Sequence, residues 1–149
     1  MYQSNRLRKG RHSQRGNLYL LTTATSDRHP VFRDVALGRL VVAELKSAQM
    51  EGWVHSLAWV VMPDHFHWLI ELGDSSLDEL MRRVKNNSAR AINRQRSSSG
   101  PLWQAGYHDR ALRQEEDVQA VARYVVANPL RAGLVARLGD YPLWDAIWL

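Results

Sequence analysis

A chain of 149 residues with 45% apolar content suits one domain with one core and is too apolar for a disordered chain. Lys and Arg number 20 against 15 Asp and Glu, so the net charge is +5; this favours a polyanionic partner without saying whether it is nucleic acid, ribosome or membrane surface. With no cysteine there is no disulfide, thiolate zinc site or cysteine nucleophile, and no apolar run approaches the ~20 residues that span a bilayer, so a cytoplasmic location without a membrane partner is expected.

Residues 1–16 carry Arg6, Arg8, Lys9, Arg11 and Arg15 without an apolar run, and are expected to form a basic arm rather than a signal peptide, either solvated or in contact with nucleic acid. Residues 17–149 are expected to form a single domain. Asn17 to Thr25 reads as a first strand, followed by a turn through Ser26 to Pro30. From Arg33 to Glu51 the residues Leu37, Leu40, Val41, Leu45 and Ala48 recur at helical spacing, and Gly52 ends that helix. Trp53 to Met62 and His65 to Leu72 read as a hairpin turned at Pro63-Asp64. Ser76 and Glu79 have the spacing of a capping box for a second helix with Leu77, Leu80, Met81, Val84 and Ile92 on one side. Gly106 to Arg113 supplies a fourth strand, and Glu115 to Asn128 a third long helix ended by Pro129. The order β-α-β-β-α-β-α predicts an α+β domain: a ferredoxin-like or RRM-like antiparallel sheet with helices on one face and the other face open to a nucleic-acid strand.

Two features carry candidate chemistry. His65 and His67 alternate with Phe66 on a strand, so both imidazoles project to one face and could chelate a divalent ion. Taken alone, a His-x-His pair is more often a chance pairing; Glu71 shares its parity and is expected at a solvated edge. Tyr124 and Asn128 are neighbours on one helix face, with Tyr124 roughly 100° or more from the apolar face set by Val118, Val121, Ala122 and Val125. By itself this Tyr reads first as a surface or boundary residue. Together the pieces suit phosphodiester chemistry, in which a cation offsets phosphoryl charge and a tyrosine attacks phosphorus. Arg82, Arg83, Lys85, Arg90, Arg94, Arg96, Arg110, Arg113, Arg123 and Arg131 are candidates for phosphate contact. Trp53, Trp59, Trp68, Trp103 and Tyr107 are candidates for base stacking, although most are expected in the core. His108 could help with proton transfer but reads first as a surface histidine.

The blocks Val60-Val61-Met62-Pro63-Asp64-His65-Phe66-His67-Trp68, Leu102-Trp103-Gln104 with Gly106-Tyr107-His108-Asp109-Arg110, and Arg123-Tyr124 through Asn128-Pro129-Leu130-Arg131-Ala132-Gly133-Leu134 resemble the REP-associated tyrosine transposases. These belong to the single-tyrosine HUH nucleases, named for His, a bulky apolar residue and His. The resemblance spans nearly the whole chain. It implies the HUH version of the ferredoxin-like fold, and Mg²⁺ or Mn²⁺ held by His65, His67 and Asn128. It implies Tyr124 as the nucleophile that takes a 5′-phosphate and frees a 3′-OH. It implies a partner that is single-stranded hairpin DNA of the kind found in repetitive extragenic palindromes of bacterial genomes, with the enzyme at the nucleoid as a monomer or homodimer. Asn128 stands where the wider family often carries Gln. Two rival readings remain: a non-catalytic domain that holds hairpin nucleic acid, and a hydrolase in which the histidines activate water through a metal.

Overall fold

The computed structural model describes residues 14–113 and 116–148. Arg6, Arg8, Lys9 and Arg11 of the expected arm lie outside the described residues. Strands β1 (Leu18–Ala24), β2 (Val54–Met62), β3 (His65–Leu72), β4 (His108–Ala111) and β5 (Trp144–Ala146) form one antiparallel sheet in the order β4-β1-β3-β2-β5. Helices α1 (Val35–Met50), α2 (Leu77–Arg96), α3 (Val118–Val126) and the single turn α4 (Asn128–Arg131) complete the described architecture with three short 3₁₀ turns.

Alternation along the central strands divides the core in two. Tyr19, Leu21, Phe66, Trp68 and Ile70 face α1 and α2, where they meet Val41, Leu45, Leu80 and Met81. Leu20, Ala58, Val60, Met62 and Leu69 face the other way and meet Ala122, Val125 and Val126 of α3. The expectation of helices on one face is therefore corrected. Ala122, Val125 and Val126 give α3 an apolar stripe of its own, and the hydrophobic effect seats it on the second face of the sheet. That leaves β3's leading end, with His65 and His67, on the face that α3 covers only in part.

The hairpin forms as its sequence dictates, and β3 has the expected bounds. A bulge at Ser56/Ala58 lets Leu57 and Ala58 both reach the α3 side. Buried indoles are satisfied: Trp68 Nε1 donates to Ser56 Oγ (2.8 Å) and Trp103 Nε1 to Ser88 Oγ (3.0 Å). Gly52 takes φ +81 beyond the C-terminus of α1, a conformation costly to a side-chain-bearing residue. Half of the expected capping box is present: Ser76 Oγ accepts from Glu79 N, while the Glu79 carboxylate turns to Arg82 and Arg83.

Three elements differ from expectation, the first being β4, which is confined to His108–Ala111 where Gly106 to Arg113 was expected. The third helix is shorter, because Asp117 caps it by accepting from Ala120 N, and Glu116 is drawn away by Arg110 Nη1 (2.8 Å) and Arg113 N (2.7 Å). β5, which composition did not announce, adds to the outer edge of β2; Tyr141 just before it donates its hydroxyl to Val61 O at 2.6 Å. Burial pushes the Tyr141 phenol up to about 12.

Phe66 is fully buried between the two histidine positions, edge-on to Trp103 at 5.5 Å. Phe66→Ala is expected to cost about 3–5 kcal/mol in denaturant unfolding, whereas a loss under 1 kcal/mol would mean that this strand's alternation is misassigned.

Candidate active site at the head of the central hairpin

β1 and β3 pair so that Thr22 lies opposite His67 and Ala24 opposite His65. The register brings the Thr22 hydroxyl within 2.7 Å of His67 Nδ1. His65 Nδ1 donates to Asp64 Oδ1 at 2.7 Å, a bond only the protonated δ nitrogen can make to an ionised carboxylate. The two rings stand 4.9 Å apart and nearly perpendicular. With both δ nitrogens engaged, the ε nitrogens are left for a ligand, which is how proteins orient metal-binding histidines.

Asp64 is itself held: Arg28 Nε donates to its second oxygen at 2.9 Å. Partial burial opposes ionisation of Asp64, but the bonds from Arg28 and His65 prevail and keep its carboxyl below the usual range. Arg28 reaches it from a short turn in which Asp27 and Arg28 both adopt left-handed backbone (φ 55 and 54), a strained choice for two side-chain-bearing residues in succession. His67 is driven down to about 4 by burial first, and then by the fields of His65, Arg131 and Arg28. It is therefore neutral at pH 7, the form that binds a cation.

Tyr124 and Asn128 are set by the way α3 ends. Pro129 has no N–H to give Val125 O, its partner four residues back. Asn128 Nδ2 donates there instead, at 2.8 Å. Arg131 Nη2 caps Tyr124 O at 2.6 Å, and its guanidinium lies 3.7 Å from the centre of the Tyr124 ring. Tyr124 is 64% exposed. One break in the helix thus fixes the ring through Arg131 and leaves the amide oxygen of Asn128 as the end not spent on the helix. Pro129 ends α3 as expected, but it also opens the turn α4. α3 packs on β2 and β3 and α4 on β2, and Arg131 is the residue whose contacts touch Tyr124 while its charge reaches His67.

The histidines open into a cleft of about 320 Å³ lined also by Thr22, Thr23, Ala24, Arg28, Gln104–Tyr107 and His108. Tyr124 and Asn128 are not among its lining residues. Among the described residues no group of three or more His, Asp or Glu is arranged to hold a metal. A divalent cation on His65 and His67 would thus need an oxygen donor of another kind, and an amide such as Asn128 together with phosphate and water oxygens fits Mg²⁺ or Mn²⁺. The oriented ε nitrogens and the neutral His67 fit such an ion.

The basic residues divide. Lys85 Nζ donates to Gln104 O (2.8 Å) and Gly106 O (2.5 Å), bracing the loop that walls the cleft. Arg82 shares a second cleft with Lys85, Gly106 and Tyr107 on the α2 side. Arg83 stacks over Trp53 at 4.2 Å, Arg110 bonds Glu116, and Arg123 lies 4.0 Å from Asp117. Trp59, Trp68, Trp103 and Tyr107 are buried and do not offer faces for base stacking. His108 is exposed at the rim of the cleft, and Glu71 is solvated beside His55. The supporting residues Thr22, Arg28 and Asp64 escaped sequence reading. Asp64 adjoins His65 and was readable only as a turn residue; the other two depend on pairing across the sheet.

The IS200-like transposase family model matches residues 15–128. The REP-associated tyrosine transposase of Escherichia coli K12 is 29% identical over 87 residues, 57% of this chain and 50% of that protein. A Haemophilus influenzae protein of the same description is 24% identical over 143 residues, 86% of this chain and 78% of its own length. The chain thus spans about half the length of the first of these relatives. Among solved structures, a REP-associated tyrosine transposase bound to a REP hairpin superposes with a TM-score of 0.74 at 21% identity, over 90% of this chain and 79% of that one. A Deinococcus radiodurans transposase gives 0.55 at 24% identity, over 81% and 96%. At these identities the likeness of structure speaks for the fold.

His67 is expected to remain neutral down to about pH 4 in the metal-free protein. Its folded pKa lies below the unfolded value of ~6.5, so its neutral form stabilises the fold fully above that value. That contribution is lost as the pH falls from there through about 4. An NMR titration of the imidazole reads the midpoint directly, and a midpoint near 6.5 would contradict the buried, cation-facing environment.

Proposed function

Because the chain belongs to the IS200-like transposase family, we propose that it is a divalent-metal-dependent nuclease and strand transferase. It acts on single-stranded hairpin DNA through a covalent bond between Tyr124 and a 5′-phosphate. The observation that carries this reading is the pair of oriented imidazoles, His65 and His67, on the sheet face covered by the helix that bears an exposed Tyr124. The assignment of His65, His67 and Asn128 as cation ligands, and of residues 17–149 as one catalytic domain, belongs to the same proposal.

In this mechanism Tyr124 Oη attacks phosphorus as the P–O3′ bond breaks. The phenolic proton is lost to solvent and the departing 3′ oxygen gains one, leaving a free 3′-OH and a 5′-phosphotyrosine. A bound Mg²⁺ or Mn²⁺ would supply Lewis-acid stabilisation of the phosphoryl oxygens. Arg131 holds the Tyr124 ring and brings a cation towards the same anionic centre. Thr22 and the Arg28–Asp64 pair keep the imidazoles in place. Rejoining is the reverse attack by a 3′-OH, with the energy of the cut bond retained in the phosphotyrosine. The basic residues of 1–16 and Arg82, Arg123 and Arg131 would meet backbone phosphates.

Labelled palindromic DNA from the chain's own genome, incubated with Mn²⁺ and run on a denaturing gel, tests the reading. Wild type is expected to yield a metal-dependent protein–DNA adduct. Tyr124→Phe should abolish adduct and cleavage while changing DNA affinity by less than about 3-fold, and His67→Ala should lower cleavage by at least about 100-fold. Cleavage that survives Tyr124→Phe would instead identify a hydrolase, and tight binding without cleavage a binding module. Thr22→Val removes only the hydroxyl that orients His67, and is expected to weaken Mn²⁺ binding by about 10–100-fold in calorimetry.

A further inference from the structure

In an in-line displacement the nucleophile enters on one side of phosphorus and the leaving oxygen departs on the other. The sheet order β4-β1-β3-β2-β5 provides two such sides around the histidine pair on β3. Helix α3, which carries Tyr124, packs on β2, β3 and β5, to one side of the pair. To the other side lie β1 and β4, with the cleft that Tyr124 does not line. For a phosphate held at the histidines, that cleft is the departure side.

The departing oxygen has to be helped. A phenol has a pKa of about 10, whereas an alcohol lies near water, at about 16. A phosphorus bonded to both oxygens therefore expels the phenolate more readily than the 3′ alkoxide, unless the 3′ oxygen is protonated as it leaves. The cleft was searched for the donor by its lining residues. Arg28 is engaged by Asp64, and a guanidinium does not give up its proton. Tyr107 is buried with its hydroxyl on Asp78 at 2.6 Å. Hydroxyl and amide side chains are not acids at neutral pH. His65 and His67 are the proposed cation ligands.

His108 remains, and the register places it well. Thr22 lies opposite His67 on β3 and opposite His108 on β4. Directly opposed residues project to the same face, so His67, Thr22 and His108 form a row across three strands. Two strand spacings separate β4 from β3 by about 10 Å, room for a phosphate and its sugar oxygen between the two imidazoles. His108 is exposed and lines the cleft. Its neighbours Tyr107 and Asp109 are both buried, which fixes the backbone that carries it.

We propose that His108 is the proton donor to the departing 3′ oxygen, a role that rests on the nuclease reading above. Imidazole is the side chain whose ordinary pKa lies nearest neutrality, so it both gives and regains a proton there. In cleavage Tyr124 Oη bonds to phosphorus, the P–O3′ bond breaks, and the imidazolium proton passes to O3′. In rejoining, neutral His108 takes the proton of the attacking 3′-OH as the bond from phosphorus to Tyr124 breaks, and the phenolate is protonated by solvent.

The test replaces the scissile 3′ oxygen by sulfur. A thiol has a pKa of about 8.5, so a thiolate leaves without a proton. Hairpin DNA with either link is incubated with Mn²⁺ under single-turnover conditions, and adduct formation is timed on denaturing gels. His108→Ala is expected to slow the oxygen link by about 100-fold and the sulfur link by less than about 3-fold. His108→Gln, which keeps hydrogen bonding but not acidity, should behave as His108→Ala. DNA affinity, read by anisotropy, should change by less than about 3-fold in both. Equal slowing on the two links, a normal rate on the oxygen link, or recovery of that rate by His108→Gln would overturn the assignment while the wild-type adduct leaves the nuclease reading standing. No wild-type adduct on either link would sink that reading and the role of His108 with it.

Discussion

The pairing of β1 with β3 is the constraint on which the remainder depends. Strand side chains alternate, so a slip of one residue would exchange the faces of the whole strand. In the observed register, Phe66, Trp68 and Ile70 enter the core beneath α1 and α2, and His65 and His67 emerge on the other face. The same register sets Thr22 opposite His67, so that a hydroxyl from one strand orients an imidazole from the next. Burial of three large side chains on one face thus holds two imidazoles on the other. The site inherits its precision from the core, because the loss in a slip would be that of exposing Phe66 and Trp68 together.

The second organising feature is chemical rather than hydrophobic. Proline at 129 ends α3 by removing the amide donor for Val125 O, which takes the Asn128 side chain instead, while Tyr124 O takes Arg131. A helix end ordinarily leaves carbonyls to water. Here the stranded carbonyls are used to hold the amide of one proposed ligand and the cation that lies on the proposed nucleophile's ring. Arg131 also lowers the proton affinity of His67, after burial and His65. These two parts of the constellation come from elements more than fifty residues apart in sequence, and they communicate through that guanidinium. On the histidine side, the strained Asp27–Arg28 turn spends conformational energy to bring a counter-charge onto Asp64, and so onto His65.

What could be read from the sequence was what local pattern encodes. The strand His65 to Leu72, its preceding turn and the Ser76 cap follow from alternation, Pro-Asp and Ser-x-x-Glu. The placement of His65 and His67 on a face away from Phe66 follows from strand parity alone. Tyr124 was legible as a residue off the apolar stripe, and it is exposed. What stayed hidden depended on pairing across distance. The seating of α3 on the second face, the three-residue β5, and the support from Thr22 and Arg28 each require knowing which strand lies beside which. The aromatic residues show the same limit from the other side: Trp59, Trp68, Trp103 and Tyr107 share a composition with stacking platforms, and only the fold consigns them to the core.

The central claim is that the oriented imidazoles serve a tyrosine that becomes bonded to DNA. Mass spectrometry of the proteolysed protein–DNA adduct tests it most directly. The account predicts a nucleotide-bearing peptide whose modified residue is Tyr124, joined through a 5′-phosphate. A nucleotide found on any other residue, or complete cleavage of the DNA with no modified peptide, would contradict it.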